Sequence, residues 1–103
     1  MRNMTTVING KEYKCKKLEV KATAYCGRQK TYLGTWATVN KTIAVDPKVI
    51  PLGSRIYIPQ FNTIFVAEDT GGAIKGNKID IFMDSYKTCT QWGIRSLTIY
   101  VLE

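Results

Sequence analysis

The sequence predicts an all-β domain, a small β-barrel with one short helix. Three observations lead to this fold class: six or seven short strand-like segments follow one another, only one segment has a helical pattern, and strands do not alternate regularly with helices. A chain of 103 residues forms one domain with a single core. Its residues are 45% hydrophobic and 22% charged, which is typical of a folded protein.

The first segments are a hairpin and a long amphipathic strand. Residues 5–15 place Asn9-Gly10 between two strand-like runs, and Asn-Gly is the strongest local signal for a type I′ turn. Residues 17–25 alternate between apolar and polar side chains, which predicts a half-buried strand. We therefore expect one domain, with residues 1–16 as a hairpin extension and residues 17–103 as the barrel.

Residues 27–40 are polar and lack sustained periodicity. They predict a long loop, of the kind that often carries binding residues in a compact domain. Trp36 in this loop could anchor it to the core or offer a stacking face to a sugar or a base. Because large aromatic side chains usually bury most of their area, we favour packing.

Five further strands are predicted after this loop. Residues 42–45 form a short apolar strand ended by Asp46-Pro47, and a turn at 51–53 leads to a strand at 54–58 that stops before Pro59. Strands at 61–67 and 78–83 flank a glycine-rich loop. The last strand, residues 96–102, is almost entirely apolar or β-branched, so we expect it to be buried.

The helix candidate lies before the last strand. Asp84 or Ser85 can cap its N-terminus, and Gly93 is a natural residue at its C-terminal end. One face carries Tyr86, Cys89 and Trp92. A helix of about two turns is suited to bracing a barrel and not to reading DNA.

The composition limits the chemistry. The chain has no histidine, which excludes Ser-His-Asp and Cys-His nucleophiles and imidazole metal sites. Its 15 Lys+Arg against 8 Asp+Glu give a net charge of +7, which favours polyanions such as nucleic acid, an anionic membrane face or wall polymers. The remaining candidates for catalysis are carboxylates, hydroxyls, amides, thiols and lysine.

The cysteines and the N-terminal residues carry weaker signals. Cys15, Cys26 and Cys89 match no zinc-ligand spacing, and we interpret them as partly buried thiols in preference to a disulfide and one free cysteine. No apolar run is long enough to span a bilayer, and residues 1–6 are not followed by the apolar core of a signal peptide. An extracellular role therefore implies a longer chain or another export route.

Residues 67–82 are the candidate site. Asp69 follows a strand-like run, Asp80 lies between two isoleucines, and a glycine-rich loop separates them. A buried carboxylate is costly unless it is hydrogen-bonded, paired or protonated. If the barrel brings Asp69 close to Asp80, repulsion and desolvation raise one pKa, as a general acid acting on a glycosidic oxygen requires.

Simpler interpretations exist for each feature of this region. Asp46 before proline is a common turn former, and Asp69 could bind the amides of its own loop. The loop is not a phosphate-binding loop, because Asn77-Lys78 follow Gly76 where Lys and Ser/Thr are required. Its glycines are better explained by positive φ angles or by close approach of a ligand to the backbone.

Three runs of the sequence resemble one known family. They are IAVDPKVIPLGSRIYIP at 43–59, AEDTGGAIKGNKIDIF at 67–82 and WGIR at 92–95, preceded by KATAY at 21–25. Together they resemble the 3D domain, named for its three aspartates and similar to the catalytic barrel of membrane-bound lytic transglycosylase A and to wall-remodelling proteins of Gram-positive bacteria and phages. The resemblance spans residues 18–102 and implies a six-stranded double-psi β-barrel that cleaves peptidoglycan.

The resemblance also implies roles for individual residues. Asp46, Asp69 and Asp80 match the family's three aspartates, and Asp80 matches its catalytic acid/base. Asp69 would tune the pKa of Asp80, and Asp46 would steady the site or contact sugar. The expected substrate-binding residues are Thr23, Tyr25, Thr70, Gly71, Gly72, Ala73 and Lys75.

The implied reaction is a lytic cut between N-acetylmuramic acid and N-acetylglucosamine that leaves a 1,6-anhydromuramyl end. The expected protein is a monomer at the cell wall or outside the cell, and it needs no metal or cofactor. Its partner is the peptidoglycan glycan, anionic wall polymers are a possible second partner, and neither nucleic acid nor a membrane span is expected. The alternatives are a non-catalytic glycan-binding module, a muramidase-type hydrolase, an oligonucleotide-binding barrel and a divalent-cation site on the aspartates.

Overall fold

The computed structural model describes residues 2–103, which form seven β-strands, one α-helix and one short 3₁₀ turn. The strands are β1 (Arg2–Ile8), β2 (Lys11–Tyr25), β3 (Thr42–Val45), β4 (Arg55–Ile58), β5 (Thr63–Asp69), β6 (Lys78–Phe82) and β7 (Arg95–Leu102). The helix α1 (Tyr86–Trp92) lies between β6 and β7, and the 3₁₀ turn (Pro59–Phe61) precedes β5.

The strands close into a barrel. Their order is β1-β2-β6-β3-β5-β4-β7, and β2 also pairs with β7, so six strands form a ring with β1 outside it. The pairs β2–β6 and β3–β5 are parallel, whereas the other pairs are antiparallel. The prediction of an all-β barrel with one short helix and an N-terminal hairpin is confirmed.

The hairpin and the barrel share a strand. β1 pairs with the first part of β2 across a turn in which Asn9 and Gly10 both have positive φ angles, of 50° and 79°. This is the backbone that a type I′ turn requires. β2 continues without a break through residues 16 and 17, and its last five residues pair with β6. The hairpin therefore extends a strand that also leads to the candidate site.

The core fills the inside of the ring. It is built from alternating aliphatic residues of the barrel strands together with one large aromatic residue, Phe65. In β7 only alternate positions and the last residue are buried, so the expectation of a fully buried final strand is wrong. β7 is half-buried because it lines one wall of the barrel and keeps its other face toward solvent.

The bounds of β5, Thr63–Asp69, lie two residues later than predicted. β5 begins at Thr63 and not at residue 61, because Pro59 starts a 3₁₀ turn and Asn62 then adopts a left-handed backbone with a φ of 47°. In α1, Ser85 is the N-cap and Gly93 follows the last turn with a φ of 64°, as predicted. Tyr86, however, is 80% exposed, so Cys89 and Trp92 are the residues of this face that pack against the core.

Trp92 fixes the position of α1. Its indole Nε1 donates a hydrogen bond of 3.0 Å to the carbonyl oxygen of Ala22 in β2. Its ring stacks on Phe61 with the centroids 5.4 Å apart. The helix therefore braces the strand that carries Thr23 and Tyr25, as the sequence suggested for so short a helix.

We expect Ser85→Ala to lower the free energy of unfolding by about 1 kcal/mol. The Ser85 hydroxyl oxygen accepts from the backbone N–H of Thr88 at 3.1 Å, and alanine would leave that donor without its cap. Urea unfolding measures the change. The matched control is Ser96→Ala, an exposed serine with no side-chain hydrogen bond in residues 2–103, which should unfold like the wild type. Equal stability of the two variants would refute the capping role.

Candidate functional site

Four residues on four strands lie level with one another across the barrel wall. Asp80 in β6 pairs with Thr23 in β2 on one side and with Ala44 in β3 on the other, and Ala44 pairs in turn with Asp69 in β5. Because neighbouring strands are about 4.8 Å apart, the backbones of Asp69 and Asp80 are separated by about two strand spacings, with only Ala44 between them. The register therefore brings the two aspartates of residues 67–82 together.

A register shift places Asp69 at this level. Between β3 and β5, Ile43 pairs with Ala67, but the next residue, Ala44, pairs with Asp69 and not with Glu68. Such irregularities re-aim side chains next to functional sites. Without the shift, Glu68 would lie opposite Ala44.

Asp80 is a half-buried carboxylate with one side-chain donor. Thr23 Oγ1 donates to Asp80 Oδ1 at 2.9 Å, and the flanking Ile79 and Ile81 are buried. Burial raises the pKa of Asp80, while the hydrogen bond from Thr23 and the charge of Lys78 oppose that rise. The charge of Asp69 adds a smaller increase. The raised pKa agrees with the expectation, but its main cause is desolvation and not repulsion between the two aspartates.

Asp69 is held by three hydrogen bonds. Its Oδ2 accepts from the Tyr25 hydroxyl at 3.0 Å, and its Oδ1 accepts from the backbone N–H of Thr70 at 2.9 Å and of Tyr32 at 3.0 Å. Asp69 is therefore fixed in orientation, whereas Asp80 accepts from a single side-chain donor among residues 2–103.

Tyr25 keeps its proton. Burial raises its pKa well above the ordinary value, and the charge of Asp69 and the hydrogen bond to it raise the pKa further. The ring packs edge-on against Phe82 with the centroids 5.3 Å apart. Thr23 and Tyr25 are two residues apart on β2, so they project from the same face and donate to Asp80 and Asp69 respectively.

Replacing Asp80 with asparagine should stabilise the fold at neutral pH. The raised pKa means that the ionised carboxylate is less stable in the folded than in the unfolded chain. The wild type therefore loses stability as the pH rises through the folded pKa, whereas asparagine does not ionise. We expect Asp80→Asn to have a higher free energy of unfolding in urea than the wild type at about pH 7. This difference should disappear below pH 3.8, the ordinary pKa of an aspartate.

Glu12→Gln, at an exposed hairpin carboxylate, controls for the loss of one negative charge from a basic chain. The assignment of a raised pKa to Asp80 would be contradicted if Asp80→Asn gained the same free energy of unfolding at both pH values. It would also be contradicted if Glu12→Gln gained as much as Asp80→Asn.

Asp46 lies with the glycine loop and not with the aspartate pair. Its Oδ1 accepts from the backbone N–H of Lys48 at 3.0 Å, and its Oδ2 accepts from that of Gly76 at 2.8 Å. These two bonds lower its pKa, and the charges of Lys75 and Lys48 contribute to the shift. Both oxygens of Asp46 are thus used to tie the end of β3 to the loop.

The glycine loop, residues 70–77, lies between β5 and β6. Only Gly76 of its three glycines has a positive φ, of 68°, so for Gly71 and Gly72 only close approach of a ligand remains of the two predicted explanations. Gly71 is favoured for another reason, because a Cβ atom there would lie 3.0 Å from the Ile74 side chain, which would have to shift. Gly72, Ala73 and Lys75 are exposed and accessible to a ligand.

Two features of the site were missed in the sequence. Glu68 is buried, accepts from Thr42 Oγ1 at 2.6 Å and forms a salt bridge with Lys41 Nζ at 3.2 Å. The loop of residues 27–40 reaches the site through the amide of Tyr32, which contacts Asp69. Glu68 at the end of a strand-like run was the available signal for the first feature. For the second, the sequence predicted a loop that could carry binding residues but not its contact with Asp69.

Trp36 does not pack into the core, so the prediction for this side chain is wrong. It is 49% exposed, with the guanidinium carbon of Arg28 4.5 Å and Lys30 Nζ 5.4 Å from its ring centroid. Residues 27–40 form their own small hairpin, in which a β-bridge pairs Lys30 with Trp36. This hairpin places the two cations beside the Trp36 ring.

All three cysteines are free thiols. Cys15 is buried, and Cys26 and Cys89 are half-buried. Burial, followed by the influence of Cys26, raises the pKa of Cys89 to about 11. Cys89 is therefore not a reactive thiolate at neutral pH.

Within residues 2–103, no group of three His, Cys, Asp or Glu side chains is arranged to hold a metal ion. No helix in the described part of the chain has both the length and the apolar character needed to cross a bilayer.

Comparison with known proteins identifies the family of this barrel. The family model of the 3D domain matches residues 41–103, which include all three aspartates and the glycine loop. The chain belongs to the 3D domain family. Its fold is thus that of a 3D domain.

The proteins similar to this chain include a cell wall-binding protein and lytic transglycosylases. The cell wall-binding protein YocH of Bacillus subtilis is 45% identical over 96 residues, covering 85% of this chain and 33% of YocH. Lytic transglycosylase LtgG of Burkholderia pseudomallei superposes with a TM-score of 0.61 and 28% identity, covering 73% of this chain and 26% of LtgG.

MltA of E. coli, in a structure with bound chitohexaose, superposes with a TM-score of 0.60 and 22% identity over 75% of this chain and 28% of MltA. This likeness concerns the fold. The chain therefore spans a third or less of the length of each of these three proteins.

Proposed function

We propose that this domain is a lytic transglycosylase that acts on peptidoglycan at the cell wall. The observation that supports the proposal most strongly is the pair of aspartates, in which Asp80 has a raised pKa and Asp69 is fixed by three donors. A general acid must keep its proton near the working pH, and partial burial of Asp80 favours that state. The fold shared with LtgG and the wall-binding relative YocH point to the same polymer.

In the proposed reaction, Asp80 donates its proton to the oxygen that links N-acetylmuramic acid to N-acetylglucosamine. The bond between that oxygen and the muramyl anomeric carbon breaks, and the glucosaminyl 4-hydroxyl leaves. The muramyl 6-hydroxyl oxygen then bonds to the anomeric carbon, and its proton returns to Asp80. No water is consumed, so a single acid/base carboxyl is sufficient, whereas hydrolysis usually uses two carboxyls at a defined separation.

The surrounding residues would hold the proton carrier in place. Thr23 orients Asp80 through its hydroxyl, and Tyr25 orients Asp69, whose charge favours the protonated form of Asp80. Asp46 would steady the glycine loop through its two backbone bonds. We propose that this loop contacts the glycan through Thr70, Gly71, Gly72, Ala73 and Lys75.

Digestion of purified peptidoglycan sacculi tests the proposal. Muropeptides released by the wild type should carry 1,6-anhydromuramyl ends, which mass spectrometry distinguishes from reducing ends by the mass of one water. Reducing ends would instead establish a muramidase-type hydrolase. Activity that EDTA does not change is also expected, because the scheme uses no metal ion.

The second candidate function is glycan binding without turnover. It is favoured by the relative YocH, whose name describes wall binding, and by the general rule that fold does not imply function. Retention of the protein on sacculi with no release of muropeptides would select this function. The intact hydrogen bonds of Asp69 and Asp80 favour the enzyme.

A further inference from the structure

The loop of residues 27–40 is attached directly to the aspartate pair. The backbone N–H of Tyr32 donates to Asp69 Oδ1 at 3.0 Å, and that of Leu33 donates to the carbonyl oxygen of Glu68 at 3.1 Å. Both acceptors lie at the end of β5, where the register places Asp69 level with Asp80. The tip of this loop is therefore one hydrogen bond from the candidate reaction centre.

The loop has a defined shape. Thr31 N donates to the carbonyl oxygen of Thr35 at 2.7 Å, and the hydroxyls of the same two residues are 2.7 Å apart. Ala37 N donates to the carbonyl oxygen of Gln29 at 3.0 Å, and Gly34 closes the tip with a φ of 86°. Internal bonds hold the turn, so its outer side chains are presented at fixed positions.

Exposed apolar side chains are concentrated on this loop. Eight large hydrophobic residues are exposed within residues 2–103, and four of them lie between positions 32 and 39: Tyr32, Leu33, Trp36 and Val39. Tyr32 is 68% exposed although its amide is bound to Asp69. A local concentration of exposed apolar area marks a binding site more often than scattered residues do.

The loop is also basic. Residues 20–45 contain no aspartate or glutamate. Lys41 is neutralised by Glu68, whereas Arg28 and Lys30 form no salt bridge within residues 2–103 and lie over the Trp36 ring. An exposed tyrosine ring on the same loop as two uncompensated cations matches a polymer that carries both sugar rings and carboxylates.

We propose that residues 27–40 form a glycan-binding subsite, in which the Tyr32 ring stacks on a sugar near the scissile bond and Arg28 and Lys30 bind a carboxylate of the same peptidoglycan strand. This inference rests on the proposed function for its substrate class. The faces of a pyranose ring are lined with C–H groups, which pack well on an aromatic ring that keeps its hydroxyl in water. The carboxylate is that of the muramyl lactyl group or of its stem peptide.

Binding isotherms on sacculi stripped of teichoic acid test the subsite without requiring cleavage. Tyr32→Ala removes the ring but keeps the backbone bond to Asp69, and it should weaken binding by about three- to tenfold. Tyr86→Ala, at an exposed tyrosine of α1, is the matched control and should bind like the wild type. Equal binding by Tyr32→Ala and Tyr86→Ala would overturn the stacking role.

The charged part of the subsite is tested with two probes. The double variant Arg28→Gln/Lys30→Gln should weaken binding to sacculi by about tenfold or less and should leave binding to neutral chitohexaose unchanged. Lys14→Gln/Lys16→Gln, at exposed hairpin lysines, controls for net charge. The proposal is wrong if this control loses as much affinity for sacculi as the Arg28→Gln/Lys30→Gln variant. It is also wrong if the wild type does not bind stripped sacculi and binds only sacculi that carry teichoic acid.

The subsite and the reaction can fail separately. Loss of binding by Tyr32→Ala with no anhydro ends from the wild type would keep the subsite and reject the transglycosylase. Tyr32→Ala could instead form anhydro ends with the KM and the sacculus affinity of the wild type. That result would support the proposed transglycosylase reaction and reject the subsite.

Discussion

Asp80→Asn should abolish measurable release of anhydro-muropeptides while the protein stays folded. Asparagine keeps the shape of the side chain and can remain near Thr23, but it has no proton to give to the glycosidic oxygen. General acid/base groups contribute about 10²- to 10⁴-fold to rates, so the cleavage rate of the variant should be lower than that of the wild type by about that factor. The increased stability expected at neutral pH would exclude misfolding as the cause.

The rate of this variant is measured by muropeptide release from sacculi, and circular dichroism monitors the fold. Glu12→Gln, which removes one negative charge from the distant hairpin, should retain the wild-type rate. A folded Asp80→Asn protein that still released anhydro-muropeptides at the wild-type rate would remove Asp80 from the reaction.

Asp69→Asn should lower the cleavage rate by about 10²-fold, although Asp69 transfers no proton in the proposed reaction. In asparagine an NH₂ group replaces one of the two carboxylate oxygens, and this group accepts no hydrogen bond. The donors that now hold Asp69 are the Tyr25 hydroxyl on one side and two backbone N–H groups on the other. Either orientation loses at least one of these bonds, so the side chain is held less firmly than Asp69 is.

The role of Asp69 as a positioning residue gives a pH signature. Without the charge of Asp69, the pKa of Asp80 should fall, so the loss of activity on the alkaline side should begin at a lower pH than in the wild type. Tyr25→Phe removes a single bond to Asp69 and should cause a smaller loss with the charge retained. An Asp69→Asn enzyme with a full rate and an unchanged pH profile would show that Asp69 has no such role.

Local signals in the sequence predicted much of the barrel. Asn9-Gly10 predicted the hairpin because only residues that tolerate positive φ angles fit its turn, and both have such angles. Ser85 and Gly93 predicted the limits of α1 for equally local reasons. Asp80 was identified because a carboxylate between two buried isoleucines has no nearby turn to stabilise it.

What the sequence could not provide was the register between distant segments. The alignment of Thr23, Asp80, Ala44 and Asp69 depends on pairings between four strands and on a one-residue shift after Ile43. Trp36 was misjudged because its exposure depends on the fold of its own loop, which has no periodic pattern.

Incubation of the wild-type protein with sacculi in oxygen-18-labelled water tests the central proposal most directly. If Asp80 transfers its proton to the leaving oxygen and the muramyl 6-hydroxyl attacks, mass spectrometry will find unlabelled 1,6-anhydromuramyl ends. Labelled reducing ends, or no new ends despite binding, would contradict the proposal that this barrel is a lytic transglycosylase.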